Sequence, residues 1–162
     1  MTAPSLLWLF FPLAITLHNL EEALWLPRWS KEARRFHPVV EQEAFNFAVI
    51  VVTILAYLAT FVAIAAPSFR LGQMIFYGAL GTMILNVFMP HLLATIILRK
   101  YAPGLLTGLL LLIPINSTIL AQAIMVGQLT WGELVVSTIV VAAILLSSLP
   151  LLFRLGRRVI KL

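Results

Sequence analysis

Cysteine is absent from the 162-residue chain, which excludes a disulfide framework, a thiolate metal site and a cysteine nucleophile. Charge is almost as scarce. Only 10% of the residues are charged, against roughly 25% in a soluble domain, so the sequence cannot furnish a water-facing surface around a core. There is no Gly-x-Ser-x-Gly elbow, no glycine-rich phosphate cradle and no His-Glu-x-x-His zinc helix, which removes the commonest esterase, nucleotide and zinc-protease readings. The paired Glu-x-x-His motifs of a ferritin-like di-iron bundle are missing as well.

What is there is apolar. Hydrophobic residues make up 62% of the chain and the mean hydropathy is +1.05. A spanning helix needs about 20 residues, and five apolar runs of that order occur, at about 5–26, 43–66, 71–98, 105–128 and 131–153. The expected fold is all-α, one integral membrane domain built as a bundle of five transmembrane helices. Pro67 ends the second run, Pro103-Gly104 precedes the fourth, and Thr130 with Glu133 forms a capping box for the fifth. The first run lacks the basic leader of a signal peptide and carries His18, Glu21 and Glu22, so it reads as a retained helix.

Basic residues are distributed unevenly. Arg28, Lys31, Arg34 and Arg35 follow the first run, Arg99 and Lys100 the third, and Arg154, Arg157, Arg158 and Lys161 the fifth, whereas Arg70 alone lies on the other side. The positive-inside rule then places the amino terminus outside and the carboxyl terminus in the cytoplasm of a multi-pass protein of the cell membrane. The net charge of +5 is explained by these topology signals, and nucleic acid is not an expected partner. The bilayer and an apolar small molecule are, and association into oligomers is compatible with the sequence. Residues 27–38, with Trp29, Phe36 and His37, and residues 154–162 fit either interfacial helices against anionic headgroups or solvated basic segments. Gly78 with Gly81, Gly104 with Gly108 and Ala123 with Gly127 are spaced for close helix crossings.

An ionisable side chain in the apolar slab costs several kcal/mol unless it is paired, protonated or hydrated, so each one marks a candidate site. His18 and Glu22 are four apart on one helical face, and Glu21 is close enough to share it. At about 1.5 Å per residue, Glu22 stands roughly 9 Å and His18 roughly 15 Å above Arg28, while His91 stands roughly 12 Å above Arg99. Three candidate ligands therefore fall at one depth. Asn86 and Asn116 lie deeper, and Asn46 sits near the inner side of the second run. Pro90 deprives the Asn86 carbonyl of its helical donor, and Pro114 does the same to Leu110, so bends are expected near His91 and Asn116. The candidate catalytic residues are His18, Glu21, Glu22, His91, Asn86 and Asn116, with Trp8, Trp25, Tyr77 and Phe88 available to shape an apolar pocket in the cytoplasmic half.

His18-Asn19-Leu20-Glu21-Glu22 has the form His-x-x-Glu-Glu, and together with the apolar first span and the segment from Asn86 to His91 the chain resembles the HXXEE family of membrane proteins. The resemblance implies a shared polar site at His18, Glu21 and Glu22 without naming its reaction. Paired carboxylates beside a histidine suit acid–base chemistry such as isomerisation or cyclisation of a lipid-like substrate, which needs no cofactor. The alternative is a metal-dependent membrane enzyme with zinc or iron on His18, Glu22 and His91. A proton or small-molecule carrier and a structural membrane subunit complete the set.

Overall fold

The computed structural model describes residues 6–34 and 39–159. After a tight first turn over Leu6–Leu9, five long helices follow in order: α1 (Phe10–Glu32), α2 (Gln42–Ala65), α3 (Arg70–Leu98), α4 (Leu105–Met125) and α5 (Trp131–Val159). The five expected runs are recovered, with α1 and α5 reaching further toward the basic end than the apolar runs alone indicate. Arg154, Arg157 and Arg158 continue α5 as helix. His37 and its neighbours at 35–38, and residues 160–162, lie outside the described residues.

The chain is a multi-pass membrane protein, and its packing follows the rule for lipid rather than water. Four helices, α2 to α5, are long and apolar enough to cross a bilayer. α1 is as long as α2 to within one residue, but His18, Asn19, Glu21 and Glu22 lower its hydropathy. Small residues face inward: α2 buries Ala44, Ala48, Ala56, Ala59, Thr60 and Ala63, while its Ile54 and Phe61 are 60% and 67% exposed. In α5 the buried residues are Ser137, Thr138 and Gly156, with large aliphatic side chains directed outward. In water such a surface would aggregate; against acyl chains it is the stable arrangement, because small inward residues let helix backbones approach and gain van der Waals contact.

Helix α3 packs on α2, α4 and α5, and α1 packs on α2 and α4. The crossing of α3 on α5 runs through glycine as expected, since a Cβ on Gly78 would stand 2.5 Å from the Ser137 carbonyl oxygen and one on Gly81 2.1 Å from Thr138 Oγ1. Among the described residues nothing lies within 4 Å of a Cβ placed on Gly127, which serves a turn, so the Ala123/Gly127 pair is not a crossing. The expected capping box holds α5, with the Thr130 N–H donating to Glu133 Oε2 at 2.9 Å and the Glu133 N–H to Thr130 Oγ1 at 3.2 Å. Glu133 also pairs with Arg70, which ties the start of α3 to the start of α5.

Proline shapes α1 without ending it. Pro27 has no N–H for the Ala23 carbonyl four residues back, and Gln42 Nε2 from the start of α2 donates to that carbonyl at 2.7 Å instead. With the vacancy filled from a neighbour, the helix continues through Pro27 to Glu32. The same Gln42 amide donates to Asn46 Oδ1 at 2.8 Å, so Asn46 belongs to this helix contact.

Candidate metal centre

His18 and Glu22 are carried on consecutive turns of α1, which sets both side chains toward α3 and the start of α4. His91 reaches the same point by a different route. Five residues along an ideal helix turn through about 500°, leaving Asn86 and His91 roughly 140° apart on the cylinder. In α3, however, the turn over Val87–Leu92 is widened to i→i+5 bonding and Met89 leaves the helical region (φ −132°, ψ 110°) just before Pro90. The break expected at Pro90 thus turns His91 back beneath Asn86. A second widened turn, Gly108–Leu112, precedes Pro114 in α4.

The result is a compact constellation. Glu22 Oε1 lies 3.0 Å from His91 Nε2 and 3.9 Å from His18 Nε2, and one ligand atom from each of the three residues falls within 4.8 Å of the others. The two imidazoles meet edge to face with centroids 5.2 Å apart. Asn86 Nδ2 sits against both rings, 3.0 Å from His91 Nε2 and 3.3 Å from His18 Nε2. His18 is fully buried and His91 almost so, while the Glu22 side chain retains 14% exposure, making it the group in touch with the surroundings.

Glu21, though next in sequence, faces elsewhere. Helix α4 starts behind Gly104, which has no side chain to cap it, so its first N–H groups find acceptors elsewhere: Leu105 donates to the Ala102 carbonyl and Leu106 to the Tyr101 hydroxyl. Glu21 takes two more from α1: Oε1 accepts from the Gly104 N–H at 2.7 Å, and Oε2 accepts from the Thr107 N–H at 3.0 Å and the Thr107 hydroxyl at 2.6 Å. The Tyr101 hydroxyl donates to Oε1 as well. Burial and this carboxylate partner push the Tyr101 phenol up to about 12. An anion at a helix amino terminus is stabilised by the exposed N–H groups and the helix dipole together. Thr107 also meets His18 Nδ1 at 3.2 Å.

A family profile described as a protein of unknown function with HXXEE motif matches residues 8–119. The chain belongs to the HXXEE family. The matched stretch contains every residue of the constellation, from His18 to Thr107. The uncharacterized protein YrkK of Bacillus subtilis is 51% identical over 150 residues that cover 93% of this chain and 95% of that one. No solved structure matches the chain. In this HXXEE protein the three signature side chains divide their duties. The histidine and the second glutamate converge with His91, and the first glutamate caps α4.

The remaining sequence candidates lie apart from the HXXEE constellation. Asn116 is buried in α4 and donates to the Leu80 carbonyl at 3.1 Å, while its Oδ1 has no hydrogen-bond partner among the described residues. Trp25 and Phe88 point outward, at 53% and 45% exposure. Trp8 and Tyr77 line a cavity of about 530 Å³ with Gln73, Gln128, Arg70 and Glu133, at the opposite end of the bundle from His18. Tyr101, Gly104 and Thr107 are the site residues that spacing arguments overlooked. As it stands, the buried cluster of two histidines and a glutamate beside membrane helices is capable of metal or acid–base chemistry.

Proposed function

We propose that the chain is a metal-dependent integral membrane enzyme whose ion is held by His18 Nε2, His91 Nε2 and the Glu22 carboxylate. The observation that carries this reading is a convergence of ligand atoms. Glu22 Oε1 stands 3.0 Å from His91 Nε2 and 3.9 Å from His18 Nε2, with one ligand atom of each residue within 4.8 Å of the others. Such atoms facing one point in a buried site repel one another unless a cation or a proton lies between them. Tetrahedral zinc with bonds of about 2.0–2.1 Å wants its ligand atoms roughly 3.3 Å apart, and the separations of 3.0 and 3.9 Å bracket that spacing. Two nitrogens and one carboxylate suit zinc or non-haem iron and leave a coordination position free for substrate. When bound, the ion supplies Lewis acidity there. Glu22 is the least buried of the three, and Asn86 is placed to hydrogen-bond an occupant.

The substrate class that fits is apolar and lipid-like, because Leu20, Leu24 and Trp25, close to Glu22 on α1, are about half exposed. In this reading the chain is a single domain of five spans, amino terminus outside and carboxyl terminus in the cytoplasm, with the centre in the half nearer the basic ends of α1, α3 and α5. A conduit across the membrane is a poorer fit. Phe11 and Ile15 of α1, Phe76 and Leu80 of α3 and Ile119 of α4 are buried between the level of His18 and the cavity at the other end.

The test is metal analysis of protein purified in mild detergent, for wild type and for His18→Ala, Glu22→Gln and His91→Ala. About one equivalent of zinc or iron in wild type and none in the variants is expected. A folded wild-type protein that neither contains nor takes up either ion would overturn the proposal. It would leave the reading in which a proton shared by Glu22 and His91 fills the same gap and the chemistry is acid–base transfer; the 3.0 Å contact between them supports that reading.

A further inference from the structure

We propose that Glu21 and Thr107 act as positioning residues which fix His18 as its Nδ1–H tautomer and thereby turn the Nε2 lone pair toward the centre. The placement of hydrogens around Glu21 and Thr107 decides the tautomer. Four donors converge on the Glu21 carboxyl group: the Gly104 N–H, the Thr107 N–H, the Tyr101 hydroxyl and the Thr107 hydroxyl. With two oxygens and about four lone-pair directions, the group is an acceptor throughout. The Thr107 hydroxyl has a single hydrogen, and the 2.6 Å bond to Glu21 Oε2 uses it. Toward His18, 3.2 Å away, the same oxygen has only lone pairs to offer, so it is Nδ1 that carries the ring hydrogen. A neutral imidazole with hydrogen on Nδ1 has none on Nε2. That nitrogen lies 3.3 Å from the Asn86 amide and 3.9 Å from Glu22 Oε1, which sets its lone pair toward the centre.

The arrangement is a carboxylate, a hydroxyl and a histidine in series, anchored at the far end on the first turn of α4. Metal-ligating histidines are commonly oriented this way, through a partner on the nitrogen that does not bind. It explains why two adjacent glutamates on one helix serve a single site: Glu22 faces the ion position and Glu21, reached through Thr107, sets the ring that faces it from the other side. This part of the argument rests on the metal reading. The tautomer does not.

The experiment uses the full-length protein in detergent, metal-free, with 15N-labelled histidine. Imidazole nitrogen shifts should show the Nδ1–H form for His18 in wild type. Thr107→Val keeps the shape but removes the acceptor, and His18 should then populate the other tautomer, while Thr107→Ser restores the wild-type pattern. Zinc affinity, measured by competition with a chelating dye, should fall roughly 10–100-fold in Thr107→Val and recover in Thr107→Ser. An Nε2–H form in wild type, or a tautomer indifferent to Thr107→Val, would overturn the proposal. So would zinc affinity in a folded Thr107→Val protein equal to that of wild type. If wild type binds no zinc, it is the metal reading that fails, and the nitrogen shifts still decide the role of Thr107.

Discussion

The backbone of Gly104 lies so close to the ring of His91 that a Cβ placed on it would stand 2.7 Å from His91 Cε1. The same Cβ would be 3.0 Å from His18 Cε1, and Gly104 holds φ at +95°, in the left-handed region. Gly104→Ala therefore meets two penalties. The dihedral alone costs roughly 1–2 kcal/mol, and both imidazoles must shift to admit the methyl group. The expected result is a lowered melting temperature in detergent together with weakened zinc binding. Unchanged values of both in the Ala variant would show that the glycine is not needed there.

Glu22→Gln separates the ion site from the helix packing. Gln keeps the size and one hydrogen-bonding oxygen but removes the charge that an ion requires. Zinc at about a hundred times its dissociation constant should stabilise the wild-type fold by roughly 2.7 kcal/mol. That increment should vanish in Glu22→Gln, whose metal-free melting point stays near that of wild type. Once a substrate is in hand, turnover in this variant should fall by roughly two to four orders of magnitude if Glu22 also transfers a proton.

Gln42 and Pro27 should be coupled through the Ala23 carbonyl. The Gln42 amide replaces the hydrogen bond that Pro27 denies to the Ala23 carbonyl. In wild type, Gln42→Leu should cost about 1 kcal/mol. In a Pro27→Ala background, where a helical N–H is restored, the same change should cost much less. A double-mutant cycle on thermal unfolding measures the difference, and strictly additive costs would refute the substitution of one donor for the other.

Because the chain has no cysteine, single cysteines can report orientation without background. Introduced at residue 2 and at residue 160, they should react with impermeant maleimide from opposite sides of the membrane. Labelling of both from one side would contradict an odd number of spans.

Much of this arrangement was legible in the sequence, for reasons that also mark where legibility ends. Each apolar run predicted a helix because nothing but a helix satisfies its own backbone in lipid. His18, Glu22 and His91 could be matched by depth because rise per residue is fixed along a span. Depth carries no azimuth, however, so Glu21 was grouped with Glu22 when adjacent residues diverge by about 100° around the helix. Asn116 was grouped with them on polarity, and it serves the Leu80 carbonyl. The missing clue for Glu21 was present at Pro103-Gly104. A helix that opens behind glycine has no capping side chain of its own, so its first N–H groups call for an acceptor from elsewhere in the fold.

In the proposed orientation, the buried block of Phe11, Ile15, Phe76, Leu80 and Ile119 lies between the centre and the outer face. An ion held there would then equilibrate with one compartment only. In sealed right-side-out vesicles an impermeant chelator added to the medium should leave the ion in place indefinitely, and in inverted vesicles the same reagent should remove it. The protein would thus take its metal from the cytoplasmic pool, and its loading would track the trace-metal status of the cell interior, whatever the metal content of the surrounding fluid.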